Sequence, residues 1–309
     1  MTVLNDLLHD AVSTTGDQML DLVRKAESIL RSERSDGEHD GIRIEEGLVR
    51  IPSLHTLVVV GDIHGDFRSL AHILEESRVL EGIEEGEKKI LFLGDYGDRG
   101  DKSAEVYATL LRLKVMFLSS VILLRGNHEG PRDLQAAPHD LPYQLQGKFG
   151  THAGSIYEEL LRLFDCLYSA AIIPGKYLLL HGGVPSLASS IDDIAHASLT
   201  HPAMSHLEEI LWNDPVENIH GTAMSPRGAG KLFGEDVTRR ILKLVNAVTV
   251  IRGHEPCQEG VCTFHDGMIL TVFSRKGPPY GNTHGAFITL NATDPSLSAH
   301  ELSNSASRF

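Results

Sequence analysis

The stretch Leu91-Phe92-Leu93-Gly94-Asp95-Tyr96-Gly97-Asp98-Arg99-Gly100 decides the reading of this chain. The apolar run 90–93 has the length of a buried strand. The glycines after it permit a sharp turn while carboxylates and an arginine crowd its exit. In an α/β sheet the exit of a parallel strand is where ligands bind. Two similar stretches flank it: residues 57–60 run into Gly61-Asp62-Ile63-His64-Gly65-Asp66, and residues 121–124 into Arg125-Gly126-Asn127-His128-Glu129. Asp62 and Asp95 stand 33 positions apart and Asp95 and Asn127 stand 32 apart. Each interval is about one strand-helix-strand unit. Residues 68–74 and 103–113, between the loops, carry helical periodicity. The three loops are therefore expected at one edge of one sheet.

Working outward, 309 residues suffice for one large core. With 28 Lys and Arg against 42 Asp and Glu, the formal charge is −14, which excludes a general phosphate-backbone binder and so a nucleic-acid partner. No run approaches the ~20 apolar residues that span a bilayer, so no membrane role is expected. The N-terminal residues lack the basic region, apolar block and cleavage site of a secretory signal. Cys166, Cys257 and Cys262 form no CxxC pair, which reads as no disulfide framework and a reducing, cytoplasmic setting. None has an arginine six positions on, which excludes a thiolate phosphatase loop.

Residues 4–30 read as two helices packed on the body, broken near Thr14-Thr15-Gly16-Asp17, and residues 32–40 as an exposed link. Residues 130–142 read as a surface loop and 155–167 as a helix. Short helices are expected over 186–206. Further strands are expected at 177–180, ending in His181-Gly182-Gly183, and at 248–251, leading to Arg252-Gly253-His254. Segments 268–273 and 286–290 also read as strands; without clear helices between them, this half is expected to be antiparallel. The polar tail from Asn291 is expected to fray or lie on the surface.

Strand ends thus present Asp62 and His64, Asp95, Asn127 with His128, His181, and His254. Singly, each is an ordinary turn or cap residue; jointly, they are a donor set. Oxygen and imidazole without thiolate suit Mn, Fe, Zn or Co, and the donors exceed the needs of one ion. Two ions sharing a carboxylate, with Asp95 as the bridge, are the economical arrangement. Such ions sit about 3.5–4 Å apart and activate a water for in-line displacement, which fits hydrolysis of a phosphate ester. Arg99 and Arg227 are placed to clamp phosphoryl oxygens. His128 is placed to protonate the departing alkoxide, with Asp98 holding its imidazole. His72, His139, His152, His196, His201, His206 and His220 read as solvated and receive no role.

These motifs resemble those of the metal-dependent serine/threonine phosphoprotein phosphatases, within the calcineurin-like metallophosphoesterases. The resemblance rests on Gly61-Asp62-Ile63-His64-Gly65, Gly94-Asp95-Tyr96-Gly97-Asp98-Arg99-Gly100 and Arg125-Gly126-Asn127-His128-Glu129. His181-Gly182-Gly183, Trp212-Asn213-Asp214-Pro215, Arg227-Gly228 and Gly253-His254 follow in the same order. It implies an α/β (α+β) fold: a central β-sandwich of mixed sheets flanked by helices. On that basis residues 1–50 are a helical extension, 51–295 the catalytic domain and 296–309 a polar tail. The resemblance assigns Asp62, His64 and Asp95 to one metal, and Asp95, Asn127, His181 and His254 to the other, with manganese favoured over iron, zinc and cobalt. It assigns catalysis to His128, Asp98, Arg99 and Arg227, and substrate binding to Arg99, Asn127, His128, Arg227 and Tyr280. Water would attack directly, with no phosphoenzyme. The implied partners are phosphoproteins, and a regulatory subunit is left open.

Two departures carry expectations. Gly97 replaces the usual valine, which should loosen the second motif loop. The C-terminal loop Phe273-Ser274-Arg275-Lys276-Gly277-Pro278-Pro279-Tyr280 is two residues longer than the family's pattern. A dinucleoside polyphosphate hydrolase resembles the first and third motifs, but Asp98 and Trp212-Asn213-Asp214-Pro215 favour the protein phosphatase. A non-catalytic binding protein would have lost ligands, and none is lost.

Overall fold

The computed structural model describes residues 3–52, 55–291 and 294–309; the piece of the expected tail at 292–293 lies outside them. The three motif strands, Thr56–Val60, Lys88–Phe92 and Val121–Leu123, are adjacent and parallel, with Val60 opposite Phe92 and Phe92 opposite Leu123. Helices Phe67–Glu76 and Ser103–Phe117 lie between them in the chain. Their exits therefore open at one edge, as expected. Ala286–Leu290 and Ser307–Arg308 extend this sheet to five strands. Its central strands are buried on both faces, which explains their unbroken apolar runs.

A second sheet of eight strands carries Ala170–Ile173, Tyr177–Leu180, Thr249–Arg252, Ile269–Val272 and Val261–Phe264 in spatial order. Alternation separates its faces. Ala171, Leu179, Ile251 and Leu270 share a core with Val58 and Leu91 of the first sheet. Ala170, Leu178, Leu180, Val250 and Ile269 pack instead with Ile210, Trp212, Ile241 and Val245 from helices His206–Trp212 and Glu235–Val245. The product is the expected sandwich of mixed sheets flanked by helices. No helix among the described residues is long and apolar enough to cross a membrane.

Several expectations are corrected. Residues 32–40 are exposed at Ser32, Ser35, Asp36, Glu38 and Asp40 but are not a link: helix Gly16–Asp36, opened by a Thr15–Gln18 capping box, runs into them and carries Glu33 into the core. Strands Ile42–Glu45 and Leu48–Arg50 follow and join the larger sheet, so the segment before residue 51 is not only helical. Tyr177–Leu180 and Thr249–Arg252 pair in parallel, because Glu235–Val245 in their connection returns the chain. Thr249–Arg252 is also parallel to Ile269–Val272, which in turn pairs antiparallel with Val261–Phe264, so this half is mixed rather than antiparallel. The loop after Glu129 gives way at Leu141 to helix Leu141–Phe149, with Pro142 in its first turn. The tail is ordered by helix Ala299–Ser305, whose Ser298–Glu301 capping box and buried Ala299 and Leu302 anchor it. Cys257 and Cys262 are joined as a disulfide, Cα atoms 5.8 Å apart, while Cys166 is free and buried. That pairing removes the argument from cysteine usage for a reducing compartment.

Candidate metal centre and phosphate cleft

The motif residues come together from three sheets: Asp62, His64, Asp95, Asn127 and His128 from the exits of the five-stranded sheet, His181 and His254 from the eight-stranded sheet, and Arg227 from the loop between strands Thr222–Met224 and Lys231–Phe233. The Asp95 carboxylate is the hub: Oδ2 lies 3.3 Å from His64 Nε2, and Oδ1 lies 3.4 Å from His181 Nε2. Two metal-capable triads, His64–Asp95–His128 and Asp95–His181–His254, have Asp95 in common. Asp62 joins through Oδ1, which accepts the His254 backbone N–H at 2.9 Å, and Oδ2, 3.7 Å from His64 Nε2. The Asn127 side-chain amide stands 3.0 Å from His181 Nε2 and 3.1 Å from His254 Nδ1.

The loops reach this arrangement through constrained backbone. Gly94 has φ +114°, and a Cβ there would sit 2.4 Å from Gly126 N; only glycines let the second and third loops touch. His64, Asp95, Asp98, Arg99 and His254 all have left-handed backbone, with φ of 46, 56, 64, 70 and 72°. Side chains rarely adopt that region unless their surroundings impose it. Gly97 does not loosen the loop as expected. Its carbonyl accepts from His64 Nδ1 at 2.9 Å, Ser103 Oγ holds the Asp98 N–H at 3.0 Å, and the Tyr107 ring fills the space a side chain at Gly97 would need.

The electrostatics fit cations. Burial holds His64, His181 and His254 well below their ordinary value, so each is a neutral imidazole. His64 and His181 spend Nδ1 on the carbonyls of Gly97 and Leu93, leaving each Nε2 with its lone pair inward. Burial, countered by the His254 backbone N–H, pushes the Asp62 carboxyl up to about 7; burial with Asp62 and Glu129 nearby raises Asp95. Asp62 Oδ2 and His254 Nε2 are buried without a hydrogen-bond partner. Buried acceptors and inward imidazole lone pairs of this kind suit a cation, and the residues present fit a metal pair.

Above this cluster opens a cleft of ≈ 480 Å³, lined by His64, Asp95, Asn127 and His254 at its base and by Arg99, His128, Arg227 and Tyr280 around it. Arg99 is tethered to the Ala137 carbonyl at 3.1 Å, and Arg227 Nε to Asp214 Oδ2 at 2.5 Å. His128 Nδ1 meets Asp98 Oδ2 at 2.5 Å. Burial raises the Asp98 carboxyl, but hydrogen bonds from His128 and His139 outweigh it and keep the group well below the usual carboxylate range. Tyr280, carried on the lengthened loop, stacks on His64 with centroids 5.5 Å apart; burial pushes its phenol up, so it stays an O–H donor.

Sequence reasoning missed several supports. Glu129 is fully buried behind Asp95, and Arg252 bonds Asp214 at 2.9 Å and Glu255 at 2.7 Å. His139, read as solvated, touches Asp98, and His206 is buried because helix His206–Trp212 turns it inward. The signal for His139 was the adjoining Asp140-Leu141-Pro142, a helix start that brings it up to Asp98.

The family model of the calcineurin-like phosphoesterases matches residues 55–258. The chain belongs to this family. As a calcineurin-like phosphoesterase it is implied to work with a pair of metal ions, in keeping with the two triads that share Asp95. It is 36% identical to serine/threonine-protein phosphatase 5 of Solanum lycopersicum, over 82% of this chain and 46% of that one. It is 36% identical to a catalytic subunit of protein phosphatase 2A from Dictyostelium discoideum, over 74% of this chain and 70% of that one. The chain spans about half the length of the phosphatase 5 relatives it matches. Among solved structures, a Saccharomyces cerevisiae protein serine/threonine phosphatase with similarity to human phosphatase PP5 superposes with TM-score 0.71 at 25% identity, covering 89% of this chain and 82% of that one.

Proposed function

We propose that this calcineurin-like phosphoesterase removes phosphate from phosphoserine and phosphothreonine in proteins, using two metal ions, with manganese favoured. The observation that carries the reading is the Asp95 carboxylate, 3.3 Å from His64 Nε2 on one side and 3.4 Å from His181 Nε2 on the other, at the floor of a cleft walled by two arginines and the Asp98-held His128. Asp62, His64 and Asp95 would hold one ion; Asp95, Asn127, His181 and His254 the other. When bound, the pair supplies Lewis acidity and a water activated at neutral pH. Arg99 and Arg227, each anchored by its own acceptor, hold the phosphoryl oxygens as planar donors. With Nδ1 committed to Asp98, His128 has Nε2 left to deliver a proton to the departing serine or threonine alkoxide. Asn127 lines the floor, and Tyr280 offers its hydroxyl from the rim.

The names of the phosphatase 5 and phosphatase 2A relatives support this substrate class. The test is protein purified without chelator, analysed for metal and assayed on a phosphothreonine peptide and on diadenosine tetraphosphate. Two ions per chain with preference for the peptide is the expected result. Strong preference for the nucleotide, or activity with no more than one ion, would overturn it.

A further inference from the structure

We propose that His139, backed by Tyr157, is a positioning residue that fixes Asp98 and thereby the proton donor His128. The inference rests on the reading of His128 as general acid. Asp98 is buried, and its four hydrogen bonds divide evenly. Oδ1 accepts the backbone N–H groups of Asp140 at 2.9 Å and Leu141 at 2.7 Å, at the start of helix Leu141–Phe149. Oδ2 accepts His128 Nδ1 at 2.5 Å and His139 Nδ1 at 2.8 Å. Behind His139, Nε2 lies 2.8 Å from the Tyr157 hydroxyl, and that oxygen lies 3.0 Å from Gln135 Nε2.

One assignment of protons satisfies the whole chain. Gln135 donates to Tyr157, Tyr157 donates to His139 Nε2, and His139 Nδ1–H and His128 Nδ1–H both donate to Asp98. No donor is left over and no two lone pairs meet, so His139 is held in a single tautomer by Tyr157. A carboxylate gripped from both ends cannot swing away from His128 during turnover, and a donor imidazole held in place is what proton transfer needs. The same segment forms the cleft wall through Gln135, Ala136 and Ala137, and the Ala137 carbonyl accepts Arg99. One stretch of chain, 135–141, thus orients both the acid and a phosphate-holding arginine.

The experiment compares losses on two substrates whose leaving groups differ in their need for an acid: a phosphoserine peptide and p-nitrophenyl phosphate. For His139→Ala, kcat on the peptide should fall roughly 10–100-fold, short of the ~10²–10⁴ expected from losing the acid itself. On the aryl phosphate the loss should be several-fold smaller, with metal content and peptide KM held. His139→Gln, whose amide can still donate to Asp98, should recover part of the peptide rate, and Tyr157→Phe should show a smaller loss of the same pattern. Equal losses on both substrates, or a glutamine variant no better than alanine, overturn the inference while leaving the phosphatase reading intact. Wild-type protein inert on both substrates with metal bound removes that reading and the inference with it. If His139→Ala does not fold, Tyr157→Phe, which deletes only a hydroxyl, carries the same comparison.

Discussion

Glu129 holds Asp95 by its backbone: Oε2 accepts the Asp95 N–H at 2.8 Å, while Oε1 accepts the Tyr96 N–H at 3.0 Å and the Tyr107 hydroxyl at 2.7 Å. The third motif therefore clamps the second, and the left-handed Asp95 is kept in place by a carboxylate that itself sees no solvent. Glu129→Gln turns one of those acceptors into a donor facing a donor. The expected cost is about 1–3 kcal/mol, the penalty of a buried unsatisfied group, read from the midpoint of urea unfolding. Metal affinity should fall with it. Unchanged stability together with unchanged metal binding would show that Glu129 is not what fixes the hub.

Asp95 is the donor common to both triads, so its substitution has a signature no other ligand shares. Asp95→Asn should lower occupancy at both positions and reduce phosphate release in step. Elemental analysis of the desalted protein decides it. A variant that keeps one ion at wild-type affinity would limit Asp95 to a single ion.

His128 shares a metal-capable triad with His64 and Asp95, but with Nδ1 spent on Asp98 the proposed role keeps its Nε2 for the proton rather than for a cation. His128→Asn should retain metal and lose roughly 10²–10⁴ in kcat, the usual range for a general acid. The loss should be steepest on alkyl phosphates, whose leaving groups are the more basic. Comparable losses on phosphoserine peptide and aryl phosphate would count against proton donation.

Most of the site was legible because its residues stand where buried strands end, and both the apolar run and the donor after it are local signals. Asp62, Asp95, Asn127, His181 and His254 needed no knowledge of what packs against them. Glu33 and His139 did. Glu33 lies in a charged stretch that looks solvated, and its partner Lys114 is 81 positions away, a distance across which periodicity carries nothing. His139 takes its meaning from Asp98, 41 positions back. Other omissions were readable. Val237, Ile241, Leu242 and Val245 mark one face of a helix, and Ser298 with Glu301 is a helix-start signature inside a stretch whose composition suggests only a polar tail. Missing the first of these helices hid the crossover that sets Tyr177–Leu180 parallel to Thr249–Arg252.

The N-terminal helix Gly16–Asp36 is bound to the body by a buried ion pair that makes no contact with the cleft. Lys114 Nζ lies 2.8 and 2.7 Å from the two Glu33 oxygens, both side chains almost wholly enclosed, and burial pulls the Lys114 ammonium below its ordinary value against the pull of Glu33. The remaining valences are filled: Lys114 also donates to the carbonyls of Leu118 at 3.1 Å and Val121 at 3.0 Å, and Tyr168 donates to Glu33 at 2.7 Å. Removing one partner strands the other as an uncompensated charge, which costs about 3–5 kcal/mol. Lys114→Met should therefore destabilise the protein by about that amount in chemical denaturation, with kcat and KM on a phosphopeptide little changed at low temperature. Replacing both members with apolar residues should not fully restore stability, since Tyr168 and the two carbonyls would then lack partners. A single variant within about 1 kcal/mol of wild type would mean that water enters and solvates the remaining charge, and that the helix is held by its apolar face alone.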